Sequence, residues 1–232
     1  IAAALAEAGL HVLLIDTDPQ GNASTALNIE HHAEVPSIYD VLVDGMPISE
    51  AMQPCPDVDN LWCVPATIDL AGAEIELVSL VARESRLTKA LAAWFAERAS
   101  AGEEPIDYVL IDCPPSLGLL TVNALACSDG VLIPMECEYF SLRGLALLTD
   151  TIDKVRDRIN PRLHLTGILI TMFDRRTVHA RLRAKTLAMS SRSASTPATA
   201  SRMARSSSRL AISPFIFQLP AISLRADIPA LP

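Results

Sequence analysis

Five short aliphatic runs decide what this chain can fold into. His11–Asp16, Leu61–Pro65, Tyr108–Asp112, Gly130–Pro134 and Gly167–Thr171 are rich in Val, Ile and Leu and do not alternate with polar residues. A strand with one wet face alternates, whereas an unbroken apolar run belongs to a strand buried on both faces. Between the runs lie helical patterns at Ile1–Ala8, Ala73–Ala99, Leu117–Ala126 and Leu142–Ile159. Gly9 is placed to stop the first helix, and Asn160-Pro161 to end the fourth. Strands alternating with helices predict βαβ units, and so an α/β fold with a mostly parallel sheet covered by helices on both faces. Half of the residues are hydrophobic but only 4% are aromatic, so the core is aliphatic. No apolar run approaches the roughly 20 residues of a spanning helix, which argues against a membrane span.

The five cysteines, Cys55, Cys63, Cys113, Cys127 and Cys137, form no C-x-x-C pair. Neither a disulfide framework nor a metal finger is expected, and a reducing, cytoplasmic setting is. The net charge of −8 conceals a division of the chain. The first 174 residues are strongly acidic, whereas no Asp or Glu occurs from Arg175 to Ala226. Ser, Arg and Ala dominate there without helical or strand periodicity, so the composition changes class inside an element and not at a linker. Residues 1–182 are accordingly read as one domain. Residues 183–232 are read as a Ser/Arg/Ala-rich tail, disordered or out of frame.

Two stretches carry chemistry. In His11–Thr25, a buried strand ends at Asp16, and Asp18, Gln20, Asn22, Ser24 and Thr25 crowd its carboxyl end. Open α/β sheets bind ligands at that edge. Carboxylates there suit Mg²⁺ ligation or the positioning of water, although a helix cap and a D-P-Q-G turn would use the same residues. In Asp107–Gly118, four hydrophobic residues deliver Asp112, and Cys113, Pro114, Pro115 and Ser116 follow. A hydrophobic strand ending in Asp is the Walker-B form, which brings one carboxylate to the Mg²⁺ of a nucleotide. His31-His32 has no third ligand to accompany it. Glu136 and Glu138 follow a strand end, where they could face a partner or a dimer mate.

VLLIDTDPQGNAST, IDCPPSLG, IPMECEYFSLRGLALL and GILITMFDRR, in that order, closely resemble the ParA/Soj family of chromosome- and plasmid-partitioning ATPases, deviant-Walker P-loop proteins related to MinD. The resemblance runs from Ile1 to about Asp174, and D-x-D-P-Q-G-N-A-S/T is its most specific element. It implies a P-loop NTPase-like sheet and ATP hydrolysis with Mg²⁺. It also implies an ATP sandwich homodimer that binds DNA non-specifically on the nucleoid, and a centromere-binding partner of the ParB type that stimulates hydrolysis. Carried onto this sequence, Asp18 matches the carboxylate associated with hydrolysis, and Asp16 its neighbour near the Mg²⁺ shell. Asp112 matches the Walker-B Asp, Pro114 to Gly118 the second switch loop, and Met172 to Asp174 the adenine contact.

Two departures accompany the resemblance. The K-G-G-x-G-K-[ST]-T loop, whose backbone N–H groups cradle phosphate, does not occur in these 232 residues. The chain opens inside a helical pattern, as a βα unit without its strand and loop would. Without that central strand, its two neighbours are expected to have unpaired edges or to be forced together. The family's I-P-R-x-x-x-x-x-E-A-P segment is likewise not found after Leu182. The alternatives are a non-catalytic binding protein without the P-loop, or a related positioning ATPase for another cargo.

Overall fold

The computed structural model describes residues 1–136, 141–171 and 221–225. Their strands are β1 (Val12–Asp16), β2 (Gln53–Pro54), β3 (Leu61–Val64), β4 (Tyr108–Asp112), β5 (Gly130–Glu136), β6 (His164–Thr171) and β7 (Ala221–Arg225). They form one sheet in the order β2-β3-β1-β4-β7-β5-β6. The pairs β1/β3, β1/β4 and β5/β6 are parallel, as the unalternating runs predict. All five expected strands are present. The helices are α1 (Ala2–Glu7), α2 (Asn22–Ala26), α3 (Ile48–Ala51), α4 (Leu70–Ser79), α5 (Arg86–Ala101), α6 (Leu119–Cys127) and α7 (Ser141–Arg158). No helix among the described residues is long and apolar enough to cross a membrane.

Strand β1 shows why the run had to be unbroken. Leu13 and Ile15 enter the larger core with Val64, Ile111, Leu91 and Ile152, while Val12 and Leu14 enter a second core with Leu61, Leu110, Ala2 and Ala6. Alternate side chains of one strand therefore serve opposite faces. Each fully buried Leu or Ile contributes roughly 1.5–3 kcal/mol by leaving water. The first helix stops as expected, with Gly9 at φ +87° donating its N–H to the Ala6 carbonyl at 2.8 Å.

The single helix expected over Ala73–Ala99 is two. Leu80 is extended, Ala82 is left-handed at φ +55°, and a short 3₁₀ turn spans Arg83–Ser85. Asn123 of α6 satisfies the backbone that this break exposes. Its Nδ2 donates to the Arg83 carbonyl at 2.7 Å, and its Oδ1 accepts from the Leu87 N–H at 3.2 Å. A side-chain amide from a distant helix thus stands in for the missing helical bonds. Asn160, read as a helix stop, also donates to the carbonyls of Leu125 (2.9 Å) and Ser128 (2.6 Å) and ties the end of α7 to the end of α6.

The gap expected between two central strands is closed. β7 lies antiparallel between β4 and β5, pairing Tyr108 to Ile111 with Arg225 to Ile222 on one side and Gly130 to Leu132 with Ser223 to Ala221 on the other. Backbone groups at an open edge must find partners, and a five-residue segment from beyond residue 182 supplies them. The rest of the Ser/Arg/Ala-rich tail, and the reading of it as disordered or out of frame, lie outside the described residues.

Candidate functional site

The parallel pairing of β1 with β4 sets Asp16 in register with Asp112. Adjacent strands run about 4.8 Å apart, so two carboxylates stand side by side at the carboxyl edge of the sheet. Asp16 is fully buried. Its Oδ2 accepts from the Ser24 N–H at 2.8 Å and the Ser24 hydroxyl at 2.7 Å, and its Oδ1 from the Asp18 N–H at 3.1 Å. Burial raises the Asp16 carboxyl above its ordinary range, and the bonds from Ser24 and Asp18 oppose that rise. Asp18 is also buried, and its Oδ1 accepts from the Gln20 N–H at 3.0 Å. The turn then closes through Gly21, which donates to the Asp18 carbonyl at 2.8 Å. Gly21 sits at φ +62°, a backbone conformation that other residues rarely adopt. Glycine at this position lets the loop fold back over β1.

Asp112 is held differently. Its carbonyl accepts from both the N–H (2.8 Å) and the hydroxyl (2.6 Å) of Thr17, which fixes the backbone of the two strand ends together. Among the described residues, no donor reaches its carboxylate. Burial, then the charges of Asp16 and Asp18, push this carboxyl up to about 7. A half-buried carboxylate without a donor, beside two further carboxylates, is stabilised by a cation. Among the described residues, no three His, Cys, Asp or Glu side chains converge into a metal cage. One or two carboxylates at a strand edge fit Mg²⁺, which keeps several waters and takes its remaining oxygens from substrate phosphates.

Pro114 is buried directly after this strand, and Pro115 and Ser116 are exposed. The loop ends where the Ser116 carbonyl accepts from the Thr121 hydroxyl at 2.7 Å and where the Glu74 carboxylate reaches the Leu120 N–H at 3.5 Å. Met172 and Asp174 lie outside the described residues, as do Cys137 and Glu138. His31 accepts or donates at 2.9 Å to the Thr25 hydroxyl. The four described cysteines are buried and unpaired. Burial raises the thiols of Cys63 and Cys113 and pushes Cys127 up to about 12, as inert core thiols require. The structure therefore brings Asp16, Asp18 and Asp112 together. Sequence reasoning placed Ser24 in the same cluster without a role, and it missed Thr17, which no spacing marks.

Residues 1–165 match a protein family described as an AAA domain. The chain is 53% identical over 181 residues to an uncharacterized protein of Mycobacterium tuberculosis, an alignment spanning 78% of this chain and 54% of that one. It is 51% identical to the chromosome partitioning protein ParA of Myxococcus xanthus (76% of this chain, 59% of that one). It is 48% identical to the sporulation initiation inhibitor protein Soj of Bacillus subtilis (76% and 66%). The chain thus spans about half to two thirds of the length of these relatives. Among solved structures, it superposes on cobyrinic acid a,c-diamide synthase from Mycobacterium smegmatis with bound ADP and magnesium, at TM-score 0.70 and 38% identity, covering 81% of this chain and 73% of that one. A plasmid partition protein from Borrelia burgdorferi superposes at TM-score 0.65 and 25% identity, covering 79% and 75%.

Proposed function

The chain belongs to the ParA/Soj family, and from that premise we propose that it is the carboxylate-bearing part of an ATP-dependent DNA-partitioning ATPase of the cytoplasm. The single observation that carries the reading is the in-register pair Asp16 and Asp112 at the carboxyl edge of a parallel sheet, with Asp18 one turn beyond. Asp112 would stand toward Mg²⁺, through water. Asp18 would orient the attacking water, and Asp16, clamped by Ser24, would hold the loop that carries Asp18. Pro114 opens the loop that follows the metal-side carboxylate, and Met172 and Asp174 would approach the base. When bound, Mg²⁺ would supply charge neutralisation on the phosphates. In this reading the working unit is an ATP-bound homodimer, which holds DNA without regard to sequence and is driven through hydrolysis by a ParB-type partner.

The experiment uses a longer chain that carries the phosphate-cradling loop. Asp18→Ala should leave nucleotide affinity within about threefold and slow hydrolysis by about 10²-fold or more, because a water-positioning group acts in the transition state. Asp112→Ala should weaken Mg²⁺-dependent binding as well, because a metal-side carboxylate acts in both states. Equal losses of binding in the two variants would overturn the assignment.

A further inference from the structure

Helix α4 is apolar on two opposite sides. Leu70, Ala73 and Leu77 are buried in the protein's own core. On the other side Ile68, Ala71, Ile75 and Val78 follow at spacings of three, four and three, with Ile68 65%, Ile75 80% and Val78 57% exposed. Ile68 belongs to this row because the chain already turns helically there, with the Ala71 N–H donating to the Ile68 carbonyl at 3.1 Å. Val81, 90% exposed, extends the row past the end of the helix. Isolated exposed apolar residues are ordinary. A row of them at this spacing is the seam of a helix that packs against another helix.

The margins of the seam identify its occupant. Asp69 and Glu76 lie along one margin and Glu74 along the other. The Glu76 carboxylate accepts from the Tyr39 hydroxyl at 3.0 Å, and Asp44 and Asp69 lie near enough to act on the same hydroxyl. The chain contains no Lys or Arg before Arg83. A second copy of α4 would bring Asp69 and Glu76 against their own counterparts, which like-charge repulsion opposes. We propose that the Ile68–Val78 seam docks a basic amphipathic helix of a partner protein, its apolar side chains at three–four spacing in the seam and its Lys or Arg against the acidic margins. The inference deepens the partner half of the proposed function and rests on it only for the existence of a partner. It also gives that partner a route to the site. Glu74, on the margin of α4, meets the N-terminus of α6 directly after the loop that carries Pro114.

The test is fluorescence anisotropy of the 232-residue chain with a labelled synthetic 15-residue helix, Leu at three–four spacing and Lys and Gln elsewhere. The control is a peptide of equal composition with the Leu positions scrambled. Saturable binding of the patterned peptide is expected, at least tenfold tighter than the scrambled one. Ile75→Glu should weaken it at least tenfold, although the variant adds negative charge, and Val78→Glu should do the same. Asp69→Lys should weaken it several-fold. Equal binding of both peptides, or undiminished binding to Ile75→Glu, would reduce the interaction to charge adhesion and overturn the proposal. So would sedimentation showing a dimer of the chain that Ile75→Glu dissociates, since the seam would then be a self-contact. No nucleotide enters this titration. A negative result therefore leaves the ATPase reading intact, and an inactive ATPase leaves the seam intact.

Discussion

Replacing Asp112 by Asn should stabilise this protein above neutral pH, and the size of the effect follows from the site. The Asp112 carboxyl moves from an ordinary value of 3.8 to about 7 on folding. Between those two values the folded state holds a proton that the unfolded chain has released. Stability therefore falls as pH rises from about 4 to about 7 and is flat beyond. At about 1.4 kcal/mol per pH unit, the interval is worth at most about 4 kcal/mol. The carboxylate keeps some solvent contact, which reduces the effect to roughly 2–3 kcal/mol. Asn has the same shape, carries no charge, and can donate its amide to the Asp16 carboxylate beside it. Urea unfolding of the original chain and Asp112→Asn, in steps from pH 4 to pH 8, isolates Asp112 together with its coupling to Asp16 and Asp18, the remaining titrations being shared. With a slope of roughly 2–3 kcal/mol per molar urea, the two midpoints should coincide near pH 4 and separate by about 1 M at pH 8, the variant being the more stable. Midpoints that stay parallel across the range would show that Asp112 titrates normally, and would remove the physical case for a cation at this strand edge.

Two further outcomes test the scaffold around the site. Asn160→Ala leaves the carbonyls of Leu125 and Ser128 without their donor, and should lower stability by about 2–3 kcal/mol in the same urea assay. Ser24→Ala removes the 2.7 Å hydroxyl bond to Asp16 while keeping the backbone bond; it should cost about 1–2 kcal/mol at pH 8 and less at pH 4, where the Asp16 carboxyl is closer to neutral.

The strands were legible because burial on both faces leaves a mark in sequence that needs no partner to read. Val12 to Ile15 must all be apolar whichever face each one serves. Asp16 and Asp112 were legible for the converse reason, since a charge that ends such a run breaks the pattern conspicuously. The break between α4 and α5 was not legible. Ala and Leu continue through it with helical spacing, and the group that stabilises it, Asn123, lies 40 residues from Arg83 in the chain. The role of Ser24 was hidden in the same way: a serine in a polar loop is ordinary until the fold sets its hydroxyl on a buried carboxylate. Neither the Pro114 loop's contact with Glu74 nor the Thr17 bonds to Asp112 could be inferred from spacing, because both depend on how separate βα units are stacked.

The antiparallel strand at the centre of the sheet has a consequence for the order of assembly. β2, β3, β1 and β4 form one hydrogen-bonded half, and β5 and β6 the other. Among the described strands, the bridge between them is β7, the last of them in chain order. When these 232 residues refold, each half can therefore form on its own, but the sheet described here becomes continuous only when Ala221–Arg225 is in place. Until then β4 and β5 each present an additional bare edge, the kind of surface at which chains pair with one another instead of with themselves. The closing contacts join residues 89 to 117 apart in sequence, so they are entropically slow to find. The refolding chain is thus at its most aggregation-prone in the interval between the formation of the two halves and the arrival of β7.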